Sequence, residues 1–199
     1  MKESSKKRLE DRAEMKPAVV AVVGGKSSGK TTAVEALTKE LTRRGYKVAA
    51  VKHVPEKDFT IDTEGKDTWR FAQSGAKTVV CVAPNEIATI QKTSTDAITL
   101  EEILAKCRGN DIVLIEGFRN LVSGDKKVPK IVTVKSEEDA IQASKSFTPI
   151  IAFTGPYRPA KLALNAPYID VLRESSKIAD ILENFLKEKE KRGGLRERL

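Results

Sequence analysis

The stretch Gly24-Gly25-Lys26-Ser27-Ser28-Gly29-Lys30-Thr31-Thr32 carries the most specific chemistry in this chain. Gly24, Gly29, Lys30 and Thr31 fit G-x-x-x-x-G-K-[ST], a loop that wraps phosphate. Glycines let the backbone close on an anion, and successive N–H groups point inward at it. The helix that follows directs its positive end at the same spot. In such a loop residues 24–32 line the phosphates, Lys30 reaches the β and γ oxygens, and the Thr31 hydroxyl ligates Mg²⁺. The context agrees, because the apolar run Ala18-Val-Val-Ala-Val-Val23 precedes the loop and a helical pattern follows it.

A carboxylate must complete a metal site of this kind. Ile112-Val-Leu-Ile-Glu116 has the form of a Walker B element, four apolar strand residues and then an acid. Most such proteins place Asp there to hold Mg²⁺ or its water. Here the acid is Glu116, either a metal ligand or a solvated strand end, and the phosphate loop favours the metal. Asp62, in Asp58-Phe-Thr-Ile-Asp62-Thr-Glu-Gly65-Lys66-Asp67, has two readings. It could reach Mg²⁺ through water or orient an attacking water, or with Thr63 it could simply cap the next helix. Lys66 opens that helix and is either a phosphate contact or a surface lysine. The catalytic candidates are therefore Lys30 and Asp62, and the metal candidates Thr31, Asp62 and Glu116.

These residues need a scaffold. Apolar runs near 17–23, 47–51, 77–82, 110–115, 130–134 and 149–153 read as strands, with 86–91 as a further candidate. Helical patterns cover about 29–44 and 66–74, another opens at Thr99-Leu-Glu-Glu102 with a capping-box spacing, and a last one carries Ile178, Ile181, Leu182 and Phe185 on one face. Residues 119–128 read as a polar loop. Continuous apolar strands alternating with helices predict an α/β fold, a P-loop NTPase three-layer α/β/α sandwich with a largely parallel sheet. Ligands of such sheets bind outside the carboxyl ends of the strands. The 24–32 loop, His53, Glu116 and Thr154-Gly155-Pro156 all fall at strand ends, so one rim would gather them. The boundaries read as a charged tail over 1–16, a nucleotide-binding domain over 17–186 and a charged tail over 187–199.

The chain has 199 residues, 40% hydrophobic and 32% charged, with a net charge of +8. Residues 1–16 carry +2 and residues 187–199 carry +3, which leaves only +3 on the domain between them. Solvated basic ends account for the excess, and the distribution argues against nucleic-acid binding. No apolar run nears the ~20 residues of a membrane span. Met1-Lys-Glu-Ser-Ser-Lys-Lys7 leads into no apolar segment, so a cytoplasmic location is expected. Cys81 and Cys107 both sit in apolar patterns and read as small buried residues. His53 is the only histidine.

Taken together, the chain resembles the MobB family, the GTP-binding adaptor of molybdenum-cofactor biosynthesis. The resemblance rests on Val23–Thr32, Val51-Lys-His53, Asp58–Asp67 with Ser74-Gly-Ala76, Ile112-Val-Leu-Ile-Glu-Gly-Phe118 and Pro129-Lys-Ile131. It implies a homodimer that binds GTP with Mg²⁺, hydrolyses it slowly and assists the MobA-type guanylyltransferase that joins GMP to molybdopterin. The chain departs from the family pattern at Val54-Pro-Glu-Lys57, at Val132 and at Phe153-Thr-Gly-Pro156. GTP comes from the resemblance alone, since the Asn-Lys-x-Asp guanine motif is absent. The alternatives are a small-molecule kinase, for which Arg70 and Arg119 are the only candidate lid arginines, and a metallochaperone GTPase, which one histidine and two core-like cysteines disfavour.

Overall fold

Strand β1 (Ala18–Gly24) reads Ala-Val-Val-Ala-Val-Val-Gly, and its alternate side chains are buried on opposite faces. Such two-sided burial requires covering layers above and below. In this computed structural model, which describes residues 16–157 and 164–196 with side chains through Lys187, both layers are present. Residues 1–15 and 197–199 of the two charged ends lie outside the described residues.

The chain divides into two compact units, one running up to His53 and resuming at Leu100, the other spanning Val54–Thr99. The first holds helix α1 (Lys30–Arg43) and strand β2 (Val48–Lys52). The second holds α2 (Asp67–Gln73), β3 (Thr78–Ala83) and β4 (Glu86–Gln91). The first unit then continues through α3 (Leu100–Ala105), β5 (Ile112–Glu116), α4 (Arg119–Val122), β6 (Lys130–Thr133), α5 (Glu137–Ser146), β7 (Ile150–Thr154) and α6 (Val171–Arg196).

Five strands form one sheet in the order β2-β5-β1-β6-β7, and every pairing is parallel. Val20 and Val22 face a core built with Leu37 and Leu41 of α1 and Ile178 and Leu182 of α6. Ala21 and Val23 face the other core, with Val132, Phe153 and Ala140 and Ala143 of α5. A third cluster packs Cys107 on Val113 and Ile115. Each fully buried Leu, Ile or Val contributes roughly 1.5–3 kcal/mol relative to exposure, so these layers hold β1 in the middle of the sheet. The three-layer α/β/α architecture read from the sequence is present.

Several local readings change. The 77–82 strand pairs with 86–91 as an antiparallel hairpin, with Ala83 opposite Glu86, and takes no part in the parallel sheet. The two-residue connection explains this: a tight turn joins antiparallel neighbours, whereas parallel ones need a long crossover. Cys81 lies on that hairpin and is exposed, contrary to expectation, while Cys107 is buried. The 119–128 loop begins with the short helix α4. Helix α5 was not anticipated, although Ser136 caps it by accepting from the Asp139 N–H at 3.2 Å and three acids fill its first turn. Helical backbone continues from the last helix through Arg196, into the stretch read as a tail.

Lys130 has no exposure, and its ammonium donates to Asp125 O and Thr148 O at 2.6 Å each. Burial pushes its pKa below the usual lysine value, and the nearby Asp125 charge opposes that shift. One ammonium thus fastens the end of the 119–128 segment and the approach to β7 onto β6.

Helices α1 and α6 are joined by charge as well as by the core. Glu40 accepts from Arg43 and from Arg44, and Arg44 Nη1 lies 2.7 Å from Asp180 and 3.1 Å from Glu183. The Arg43 and Arg44 hydrogen bonds hold the Glu40 carboxyl at about 2, below its ordinary 4.5. A depressed carboxylate pKa stabilises the fold above the unfolded value, and that stability is lost as pH falls through the folded one. The melting temperature is therefore expected to drop between pH 4.5 and pH 2. Arg44→Met is expected to lower it by a few degrees at neutral pH and to make the acid slope shallower. An unchanged melting curve at both pH values would show that the cluster does not hold α6.

Candidate functional site

The phosphate loop lies between the end of β1 and the start of α1, at the carboxyl edge of the sheet. Gly24 pairs in register with Thr133 of β6. A Cβ at Gly24 would lie 2.2 Å from Thr133 Oγ1 and 2.4 Å from its carbonyl oxygen, so only glycine fits there. Ser28 is buried, donates to Gly25 O at 2.8 Å and lies 2.6 Å from Thr133 Oγ1. These bonds bend the loop over the strand end. Ser27 accordingly adopts a left-handed φ of 58°, which costs a non-glycine residue free energy and persists only where surroundings enforce it. Gly25, Lys26, Ser27, Thr31 and Thr32 are exposed.

The start of α1 contrasts with that of α5. Gly29 at its N-cap position has φ 91° and no side chain to offer, and the first turn contains no acid. The opening N–H groups of a helix have no intrahelical acceptor. Here no side chain supplies one, and the partial positive charge of the helix end is left for an anion. Lys30 Nζ folds back onto Gly24 O at 3.2 Å and Gly25 O at 2.6 Å. Burial lowers its pKa; Glu116 opposes the shift, while Lys52 and Lys135 add to it. Lys30 therefore feels two further ammonium groups and one carboxylate, an excess of positive charge suited to a polyphosphate.

The register of the sheet brings Glu116 beside Val22 of β1 on one side and Lys52 of β2 on the other. Thr31 Oγ1 donates to the Glu116 carboxylate, 3.1 Å from each oxygen. Lys52 Nζ lies 3.2 Å and 3.5 Å from the same two oxygens and 3.5 Å from Thr31 Oγ1. The His53 backbone N–H donates to Glu116 O at 3.0 Å, and the His53 ring packs against Phe118 at a 37° tilt with centroids 4.7 Å apart. Phe118 itself has a left-handed φ of 50°.

A hydroxyl and a carboxylate converging this closely are hard oxygen donors of the kind Mg²⁺ uses. Among the described residues no group of three or more His, Cys, Asp or Glu is placed to hold a metal. The two donors at Thr31 and Glu116 suit an ion that completes its shell with phosphate oxygens and water. The third metal candidate, Asp62, belongs to the Val54–Thr99 unit. There its Oδ1 accepts from Thr63 N–H at 2.9 Å and from the Thr68 hydroxyl at 2.8 Å, while Oδ2 is buried without a hydrogen-bond partner. Asp62 so braces the entry to α2, whose N-cap position is taken by Lys66 without a side-chain cap. Arg119 donates to Ser146 Oγ at 3.2 Å and lies over the Phe147 ring, and Arg70 pairs with Asp67 at 3.6 Å. Both candidate lid arginines thus have partners of their own.

Reading by motif missed Lys52, Lys135 and Thr133. Lys52 was findable, since it is the strand-end residue just before His53 and a parallel register sets it against Glu116. Thr133 and Lys135 lie outside any phosphate-loop pattern, and only the pairing of β6 with β1 reveals them.

The model of the MobB family, described as molybdopterin guanine dinucleotide synthesis protein B, matches residues 19–155. A Haemophilus influenzae protein named molybdopterin-guanine dinucleotide biosynthesis adapter protein is 28% identical over 171 residues, covering 84% of this chain and 89% of its own. A Methanocaldococcus jannaschii protein provisionally given the same description is 38% identical over 124 residues. That match takes in 60% of this chain, which thereby spans about half, 48%, of the archaeal protein. The crystal structure of a MobB homolog from Bacillus stearothermophilus superposes with a TM-score of 0.60 at 25% identity, covering 84% of this chain and 97% of its own. The family match takes in the phosphate loop, the helix after it and the β5 strand that ends in Glu116, and well over half the sequence, so this chain belongs to the MobB family.

Proposed function

We propose that this protein is a GTP-binding adapter of molybdopterin guanine dinucleotide biosynthesis that turns GTP over slowly and assists a MobA-type guanylyltransferase acting on molybdopterin. The observation that carries the nucleotide part is the uncapped start of α1 beneath a phosphate loop whose Thr31 meets Glu116 at 3.1 Å. The family supplies the pathway and the guanine base. Residues 24–32 would hold the phosphates, Lys30 would leave Gly24 O and Gly25 O for β and γ oxygens, and Thr31 with Glu116 would hold Mg²⁺. Bound there, Mg²⁺ would neutralise charge on the phosphates. Slow turnover accords with the absence of an obvious strong general base among the described residues: the His53 ring packs at a tilt against Phe118, and one Asp62 oxygen already serves Thr63 and Thr68. A cytoplasmic location accords with this role, and no helix among the described residues is long and apolar enough to cross a membrane.

The reading includes a homodimer, and the β3–β4 hairpin is the surface best suited to a second copy. A two-stranded sheet is marginal alone. On one face it exposes Val80 at 56%, Val82 at 72% and Ile87 at 71%, with Val82 directly opposite Ile87. A like hairpin would cover this face with matching apolar side chains.

Three measurements test these proposals. In titrations with GTP, Lys30→Ala is expected to weaken binding by roughly ten- to a hundredfold, the size of a lost charged hydrogen bond. In the same titrations Glu116→Gln should weaken binding only when Mg²⁺ is present. Equal loss with and without Mg²⁺ would remove the metal role. If Asp62 orients the attacking water, Asp62→Asn lowers turnover more than GTP affinity; a purely thermal defect would leave Asp62 as a brace for α2. In sedimentation, Val82→Lys with Ile87→Lys should convert a dimer to a monomer, and a persistent dimer would exclude the hairpin face.

A further inference from the structure

Lys52 occupies an unusual position. Its ammonium lies within 3.5 Å of both Glu116 oxygens and of Thr31 Oγ1, the same atoms assigned above to a divalent cation. The Glu116 side chain is nearly enclosed, at 12% exposure, while that of Lys52 is 57% exposed. The carboxylate is thus enclosed by protein, while the lysine side chain lies largely in solvent. The backbone enforces the meeting, because Lys52 and Glu116 are register partners at the ends of adjacent parallel strands.

We infer that Lys52 is a displaceable internal cation that competes with divalent metal for Glu116 and Thr31, so that metal binds well only together with a phosphate ligand able to take the lysine. The inference rests on the metal role proposed for Glu116. An ammonium and a divalent ion cannot share one carboxylate at this spacing without strong like-charge repulsion. Apparent metal affinity is then reduced by the fraction of molecules in which Lys52 has left the carboxylate. A bound polyphosphate provides the alternative partner, since an ammonium leaving Glu116 needs only a short swing to meet phosphate oxygens at the loop. The coupling is reciprocal, so metal must also favour phosphate binding by freeing the lysine. Glu116 and Thr31 would otherwise form a small, permanently open oxygen site at the surface. Lys52 guards that site against free cations and makes its occupancy depend on nucleotide. It is a positioning residue, acting through Glu116.

The test is Mn²⁺ titration of the full chain, followed by electron paramagnetic resonance, with and without a non-hydrolysable GTP analogue. In the absence of nucleotide, Lys52→Gln should bind Mn²⁺ at least about fivefold more tightly than the native chain, the lower end of ordinary coupling between competing ligands. Lys52→Arg, which keeps the charge, should show no such gain. The gain should vanish in the double variant Lys52→Gln, Glu116→Gln. With the analogue present, the advantage of Lys52→Gln over the native chain should shrink. Equal affinity of the native chain and Lys52→Gln for free Mn²⁺ would overturn the inference, as would a gain that survives loss of Glu116. The metal reading is tested separately: if Glu116→Gln leaves Mn²⁺ binding with the analogue intact, Glu116 holds no metal and the inference falls with it.

Discussion

The opening N–H groups of α1 set the terms for this molecule. A helix start is normally closed by a side-chain oxygen or by acids in its first turn, and α5 shows that this chain can do so, with Ser136 and three acids. At α1 it does neither. The sequence spends Gly29 and Lys30 where a capping Ser and an acid would stabilise the helix. The surrounding structure can be understood as what makes that unfilled end tolerable. β1 is held at the centre of the sheet by cores on both faces, Thr133 and Ser28 fix the loop above it, and Lys30 borrows the loop carbonyls.

Charge at the site follows from strand register more than from the loop motif. β5 lies between β1 and β2, so the residue ending β5 must meet whatever ends β2. Glu116 meets Lys52 for that reason, and the helix beginning after β1 contributes Thr31 to the same point. Three segments distant in sequence converge because parallel strands all finish on one edge. The substitution of Glu for the usual Asp at the β5 end gives the carboxylate one more methylene of reach, enough for both of its oxygens to lie at 3.1 Å from Thr31.

Much of this was legible in the sequence. Apolar runs located the five parallel strands within a residue or two, the loop motif located the phosphate site, and Glu116 stood out as an acid closing an apolar run. Most of what stayed hidden depended on which segments the fold brings together. Periodicity marked 77–82 as a strand but could not say which sheet it would join, and with that uncertainty went the exposure of Cys81. The family-like Pro129-Lys-Ile131 gave no hint that Lys130 is fully buried on two carbonyls, because the acceptors sit at Asp125 and Thr148. Asp62 remained double in meaning because its neighbours Thr63 and Thr68 are local and fit a structural brace.

The left-handed turn at Ser27 has a thermodynamic corollary. A flexible loop that closed around its ligand would lose conformational freedom at each encounter, and that loss would subtract from affinity. Here the chain's own bonds, from Ser28 to Gly25 and Thr133, hold the bend. The ordering cost therefore belongs to folding, where the buried layers of the sheet absorb it once. Recognition inherits a rigid cradle, and global stability and ligand grip become two readings of the same reserve of free energy.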